Sequence, residues 1–227
     1  MVKRPFEQWL FEEVEIEFGL DRVKKMPQLE EWLDTKNLQQ EREIPPYISR
    51  LRKLLLENVD TWNEDELKMH FIAPFLLEID FYNQPHYRVF TQRFMRLQTK
   101  TVEAAGRVEW MVATGKQTPR NPFFFLQEYK PEKGPHNDPL GQLLIAMVDA
   151  QILNDAPKKP IYGCYNLGRF WFFVLLQEKI YSVSRAYDAT RKNDMRDMIV
   201  IFKRVKNHIH RELGLPIEVK CSKSQEQ

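Results

Sequence analysis

Two apolar runs, residues 161–167 and 170–176, parted by Gly168, constrain the fold more than any other feature of the chain. Runs this short and this continuously apolar read as central strands covered on both faces, and a third strand follows at 180–184. Helices must then supply the cover, which makes the fold class mixed α/β. With 227 residues and 43% hydrophobic content the chain is long enough to bury one such core, and a second independent enzyme domain is not expected.

The covering helices show in the spacing of apolar residues. Phe6, Trp9, Leu10 and Val14 recur at helical intervals, as do Leu29, Trp32 and Leu33 after Pro27, and Ile48, Leu51, Leu55 and Val59 after the Pro45-Pro46 pair. Residues 1–60 are therefore expected to form a helical N-terminal extension, 61–215 the α/β domain, and 216–227 a loose tail. The segment 62–81 reads as a further helix with Asn63 as its cap and a stripe of Leu67, Phe71, Ile72, Phe75, Leu76 and Ile79. At about 100° per residue, Glu64 falls in the middle of that stripe and Glu66 nearly opposite, while Pro74 is expected to bend the helix. Leu140, Leu143, Leu144, Met147 and Gln151 mark an amphipathic helix capped by Asp138. A closing helix is seamed by Met195, Met198, Phe202, Val205 and Ile209, a seam that could join two copies of the chain but is more economically packed on the sheet.

Between these helices the period changes to two. Residues 87–94 alternate roughly, and GRVEWMVATG, 106–115, alternates well, with Val108, Trp110 and Val112 on one face and Glu109, Met111 and Ala113 on the other. After the turn-rich GKQTPRNP, the stretch PFFFLQEYKP gives a strand bounded by prolines, and the two strands suit an antiparallel hairpin.

Several function classes drop out. A formal charge of +2 and a pI near 8.4 are far from a nucleic-acid-coating stripe, and neither propose nor exclude such a partner. Two cysteines, Cys164 and Cys221, allow no disulfide framework or cysteine zinc site. His70, His86, His136, His208 and His210 are scattered without metal-ligand spacing, and there is no glycine-rich phosphate loop or nucleophile elbow. The charged opening residues and the lack of a long apolar stretch lead to the expectation of a cytoplasmic protein with no membrane partner.

One triplet carries chemistry. Glu128-Tyr129-Lys130 ends an apolar strand, and period-two geometry sets Glu128 and Lys130 side by side on one face. A hard cation such as magnesium needs carboxylate oxygens, and a phosphodiester needs a positive charge beside it. Glu109, on the neighbouring strand, would complete the metal site. Composition produces the same triplet at Asp34/Lys36, Glu66/Lys68 and Glu218/Lys220, where it reads as a solvated ion pair, so context singles out Glu128 and Lys130. Arg88, Arg93, Arg96, Lys100 and Arg107, with Lys116 and Arg120, lie on or beside the hairpin and could bind phosphates, or could be a solvated strand face.

In order and spacing, though in no single word, residues 60–185 resemble the PD-(D/E)XK nuclease superfamily. The matching parts are NEDELKMHFIAPFL with Glu64, GRVEWMVATG with Glu109, FFFLQEYKP with Glu128 and Lys130, and DPLGQLLIAM with Gln142. The chain looks most similar to small bacterial proteins of uncharacterised substrate that carry this same set of segments. The resemblance implies a restriction-endonuclease-like mixed sheet flanked by helices, with Mg2+ or Mn2+ held by Glu109 and Glu128. By the same resemblance Lys130 positions or activates water, Glu64 binds a second metal or orients a ligand water, and Gln142 orients the substrate or Lys130. The implied activity is metal-dependent hydrolysis of nucleic acid, DNA ahead of RNA, in defence or repair. The family usually has Asp where Glu109 stands, and a tyrosine often follows the glutamine by one turn where this chain has Ala146. Those departures leave open a nuclease-fold domain that binds nucleic acid or a protein partner without chemistry, a purely structural interaction protein, and a merely exposed helix position for Gln142.

Overall fold

The computed structural model describes residues 2–35, 43–132 and 138–217. Most of the expected tail, with Cys221, His136, Lys36, Glu218 and Lys220, lies outside the described residues. The two apolar runs are β6 (Ile161–Leu167) and β7 (Phe170–Gln177), an antiparallel hairpin turning at Gly168, whose φ of 54° favours a residue without a side chain. β8 (Ile180–Val183) pairs antiparallel with β7, and β5 (Arg120–Lys130) lies parallel to β6 on its other edge. Antiparallel pairing then adds β4 (Val102–Thr114) and β3 (Arg88–Gln98). Three short strands complete a nine-stranded mixed sheet: β1 (Val2–Pro5) on β4, β2 (Asp21–Arg22) on β8 and β9 (Tyr187–Asp188) on β7.

β1 and β2 correct the expectation of a purely helical first sixty residues. At four and two residues they are too short to show a period, and they exist by adding to strands already formed. α1 (Phe11–Phe18), α2 (Pro27–Leu33) and α3 (Pro46–Asn58) share the cores of the rest of the chain: Val14 packs in one, and Trp32 and Leu55 in the other.

The first face of the sheet is covered by α2, α3, a broken helix and α7 (Lys192–Leu213), closing around Phe75, Trp171 and Phe202. The α7 seam is buried there, against the chain's own sheet. The broken helix consists of α4 (Glu64–Leu67), a π turn (Lys68–Ile72) and α5 (Ala73–Ile79). Asn63 caps it as expected, accepting from Glu66 N at 2.9 Å while the Glu66 carboxylate returns to Asn63 N at 2.9 Å. The expected disturbance at Pro74 is that π turn, which widens the helix where proline withholds a donor and its ring crowds the preceding turn.

α6 (Pro139–Asn154) covers the second face. It is not the amphipathic helix expected. Every residue from 140 to 151 is buried, because the sheet holds one side and the N-terminal segment around Phe6, Trp9 and Val14 packs against it as well. The approach is close enough that a Cβ at Gly141 would collide with the backbone of Trp9 and Phe11. Asp138 joins the two helix starts, accepting from Leu140 N at 3.0 Å and from Phe11 N at 2.7 Å. Among the described residues no helix is long and apolar enough to cross a membrane.

β4 holds the feature that positions the site. One edge pairs with β3 along the strand, so its other partners must share the opposite edge: β1 at residues 102–105 and β5 from 110 onward. β5 stays zipped to β6 through Lys130↔Leu167 but leaves β4 after Gln127↔Trp110. Glu128, Tyr129 and Lys130 thus end β5 at a fork in the sheet.

Candidate active site at the strand fork

Lys130 is the centre of the fork. Its Nζ lies 2.8 Å from Glu128 Oε1 and 3.7 Å from Glu64 Oε2. The β5 alternation supplies the first contact, and the capped start of α4 supplies the second, Glu64 being the first residue of that helix, where a carboxylate suits the helix dipole. Burial works against the Lys130 charge, but Glu128 and then Glu64 and Glu109 outweigh it and raise its pKa above the usual lysine value. Glu128 is 2% exposed. Burial pushes its carboxyl up to about 8 despite the opposing Lys130 charge.

Glu128 faces α6. It lines a tight crevice with Gln127, Gln142 and Arg107, closed by Phe6, Val108, Leu143 and Ala146. Gln142 is 4% exposed, so it is a buried neighbour of Glu128 and not a surface residue. Gln127 Oε1 and Gln142 Oε1 find no donor, and Glu128 Oε1 meets Lys130 outside hydrogen-bond geometry.

Glu109 faces the other way. The expected alternation fails there: Val108 and Met111 belong to the α6-side core, whereas Glu109 and Trp110 both line a pocket beneath the π turn with Gln92 and Tyr129. The reason lies on β3, where Thr91↔Trp110 and Arg93↔Val108 pair but Gln92, at φ 54°, drops out of the register opposite Glu109. Gln92 Nε2 donates to Glu109 Oε2 through a short hydrogen bond, and the Tyr129 hydroxyl is a further partner. Burial raises the Glu109 pKa, the Tyr129 bond opposes it, Glu64 adds to the rise, and Lys68 and Lys130 counter it.

The two carboxylates expected to share a metal therefore line different pockets on the two sides of β5, although each still feels the other's charge through the fork. Among the described residues, no three His, Cys, Asp or Glu side chains are grouped closely enough to hold one ion. Donor chemistry still fits a hard cation at Glu128, because magnesium takes only one or two carboxylates plus waters, and the Gln142 amide oxygen, without a donor, belongs to a residue lining the same crevice.

The hairpin cations are dispersed. Arg96 is tied to Glu103 at 2.6 Å, Arg88 donates to the Lys116 carbonyl at 3.0 Å, Arg93 lies over the Phe90 ring, and Lys100 is exposed in the β3–β4 turn. Arg107 alone of the five reaches the fork, where it also donates to the Gln92 carbonyl at 3.0 Å. Gln92, Tyr129 and Lys68 were not anticipated. Lys68 was discernible as the i+4 neighbour of Glu64, and Tyr129 as the residue that period two turns away from Glu128. Gln92 had no signal, since nothing local demands a left-handed backbone there. No protein-family model and no curated protein matches the sequence.

Proposed function

We propose that the chain hydrolyses phosphodiesters of nucleic acid, DNA ahead of RNA, with Mg2+ or Mn2+, on a restriction-endonuclease-like fold of the PD-(D/E)XK type. The observation that carries the reading is the fork itself: a lysine held between a buried strand carboxylate and a helix carboxylate, with a buried glutamine from α6 beside them. The order of parts supports it, running from the Glu64 helix through the Glu109 strand and the Glu128-x-Lys130 strand to the Gln142 helix.

Glu128 would hold the metal, with Glu109 joining only by leaving Gln92 and Tyr129. A bound divalent ion supplies Lewis acidity at the phosphate and a water of lowered pKa. The chain's own share is positional. Lys130, kept cationic by its carboxylates, stabilises charge developing on the phosphate oxygens. Glu64, half-exposed, can accept a hydrogen bond from an approaching water, and Gln142, which lines the crevice beside Glu128, would orient the substrate or Lys130. Labelled single-stranded, duplex and branched DNA and RNA, incubated with Mg2+ or Mn2+, test the reading: metal-dependent cleavage should disappear in Lys130→Ala. Intact substrates under every condition would refute it.

A second reading draws on the Glu109 contacts. With that carboxylate engaged by Gln92 and Tyr129 on the far side of β5, a fork without chemistry would still present Lys130, Lys68 and Arg107 to a phosphate backbone. Its mark would be metal-independent binding with no cleavage.

A further inference from the structure

Beneath the π turn, next to the fork, lies a cavity of about 220 Å³. Ile72, Leu76 and Trp110 make its walls apolar, and Gln92, Glu109 and Tyr129 concentrate its polar groups. Lys68 and Met69 also line it, and Met69 is 63% exposed. Mostly apolar walls with a few convergent polar groups characterise a ligand site, and the volume falls below the roughly 300–1,000 Å³ of sites for drug-sized molecules, so one ring system fits and a base pair does not.

The polar end is built at a cost in backbone conformation. Gln92 takes a left-handed φ in the interior of an eleven-residue strand, its carbonyl is held by Arg107, and its amide is thereby delivered to Glu109. Strain of this kind persists where the surroundings impose it, and it concentrates at binding and catalytic positions. What it yields is a carboxylate acceptor beside an amide that can both donate and accept, the complement of a flat heterocycle bearing an amino group next to a ring nitrogen.

Position names the heterocycle. Tyr129, the chain neighbour of Lys130, lines the cavity, and so does Lys68, one turn after the Glu64 that lies 3.7 Å from Lys130 Nζ, so a phosphate at Lys130 brings the base of an adjoining nucleotide to the cavity. We propose that this cavity receives one unstacked, amino-bearing nucleobase of the strand bound at the fork, read by Glu109 and Gln92 and packed against Trp110. The proposal rests on the phosphodiester reading of the fork. Enzymes that extrude a base read it in this way, by edge hydrogen bonds and apolar or aromatic packing.

The test compares a labelled single-stranded oligonucleotide of mixed sequence with the same strand carrying abasic sites, on wild type, Ala73→Phe and Gln92→Leu, with folding checked by circular dichroism. Ala73 lines the cavity, and a phenyl group there would fill it. The normal strand should bind wild type about tenfold more tightly than the abasic strand, the scale of one base–aromatic contact. Ala73→Phe should erase that difference by weakening only the normal strand, and Gln92→Leu should narrow it in the same way. Equal binding of the two strands to wild type, or a difference that survives Ala73→Phe, overturns the proposal and leaves the fork's function standing. The four nucleoside monophosphates, titrated against wild type and Trp110→Phe by tryptophan fluorescence, separate the two ideas. Quenching that depends on Trp110, without strand binding or cleavage, would support the cavity and sink the fork; no quenching and no strand binding would sink both.

Discussion

The two halves of β5 obey different rules. In the half paired with β4, and from Phe125 onward also with β6, every side chain from Phe123 to Leu126 is apolar and buried, and Phe125 packs against Phe81, Trp110 and Phe202 with ring centroids 5.7–6.2 Å apart. In the half where β4 has left, Glu128 and Lys130 are paired only on the β6 edge of the strand. A ladder on both edges satisfies the backbone and leaves side chains nothing to do but pack. Where one ladder ends, charged side chains gather in its place, and Glu128 is carried into the interior with Lys130 as its countercharge.

The largest effect should come from breaking the open half. Lys130→Ala strips that countercharge, and the loss of a cation beside a scissile phosphate should lower metal-dependent cleavage by about 100-fold or more, measured at saturating Mg2+. Phe125→Ala breaks the sealed half instead. Its expected signature is a loss of about 3–5 kcal/mol in urea unfolding, with cleavage per folded molecule unchanged.

Asp149 sharpens the comparison, because it is a buried acid with no fork around it. It sits on α6 at 1% exposure, its Oδ2 lacks a partner, and burial raises its pKa to about 7. A carboxyl raised above its unfolded value binds protons more tightly when folded. Its stabilising contribution is full below about pH 4 and is lost as pH rises through about 7. Asp149→Asn should therefore leave stability unchanged near pH 4 and raise it by about 2–4 kcal/mol at pH 8. Equal effects at the two pH values would show that the acid has an unrecognised countercharge. The smallest effect belongs to Gln92→Gly: relief of the left-handed side chain is offset by loss of its hydrogen bond to Glu109, so stability should change by less than about 1 kcal/mol in the same assay.

These contrasts also explain what was legible in the sequence. The sealed regions announce themselves: the apolar runs became β6 and β7, the Asn63 and Asp138 caps stand where hydrogen-bonding side chains precede apolar periodicity, and the α7 seam is buried residue by residue. Glu128, Lys130 and Glu64 were readable because period two and 100° per residue act locally. Glu109 was seen, but its direction was not, since a neighbouring strand's backbone at Gln92 decides it. The burial of α6 on all sides was hidden for the same reason: its second cover comes from residues 6–18, more than a hundred positions away.

Calorimetric titration of Mn2+ into wild type and Glu128→Gln, at pH 7 and pH 9, tests the fork most directly. A metal displaces the carboxyl proton that burial holds up to about pH 8, so wild-type affinity should rise between the two pH values, and Glu128→Gln should bind at neither. Binding that ignores both the pH and the substitution, or its absence from wild type, would contradict a metal at Glu128.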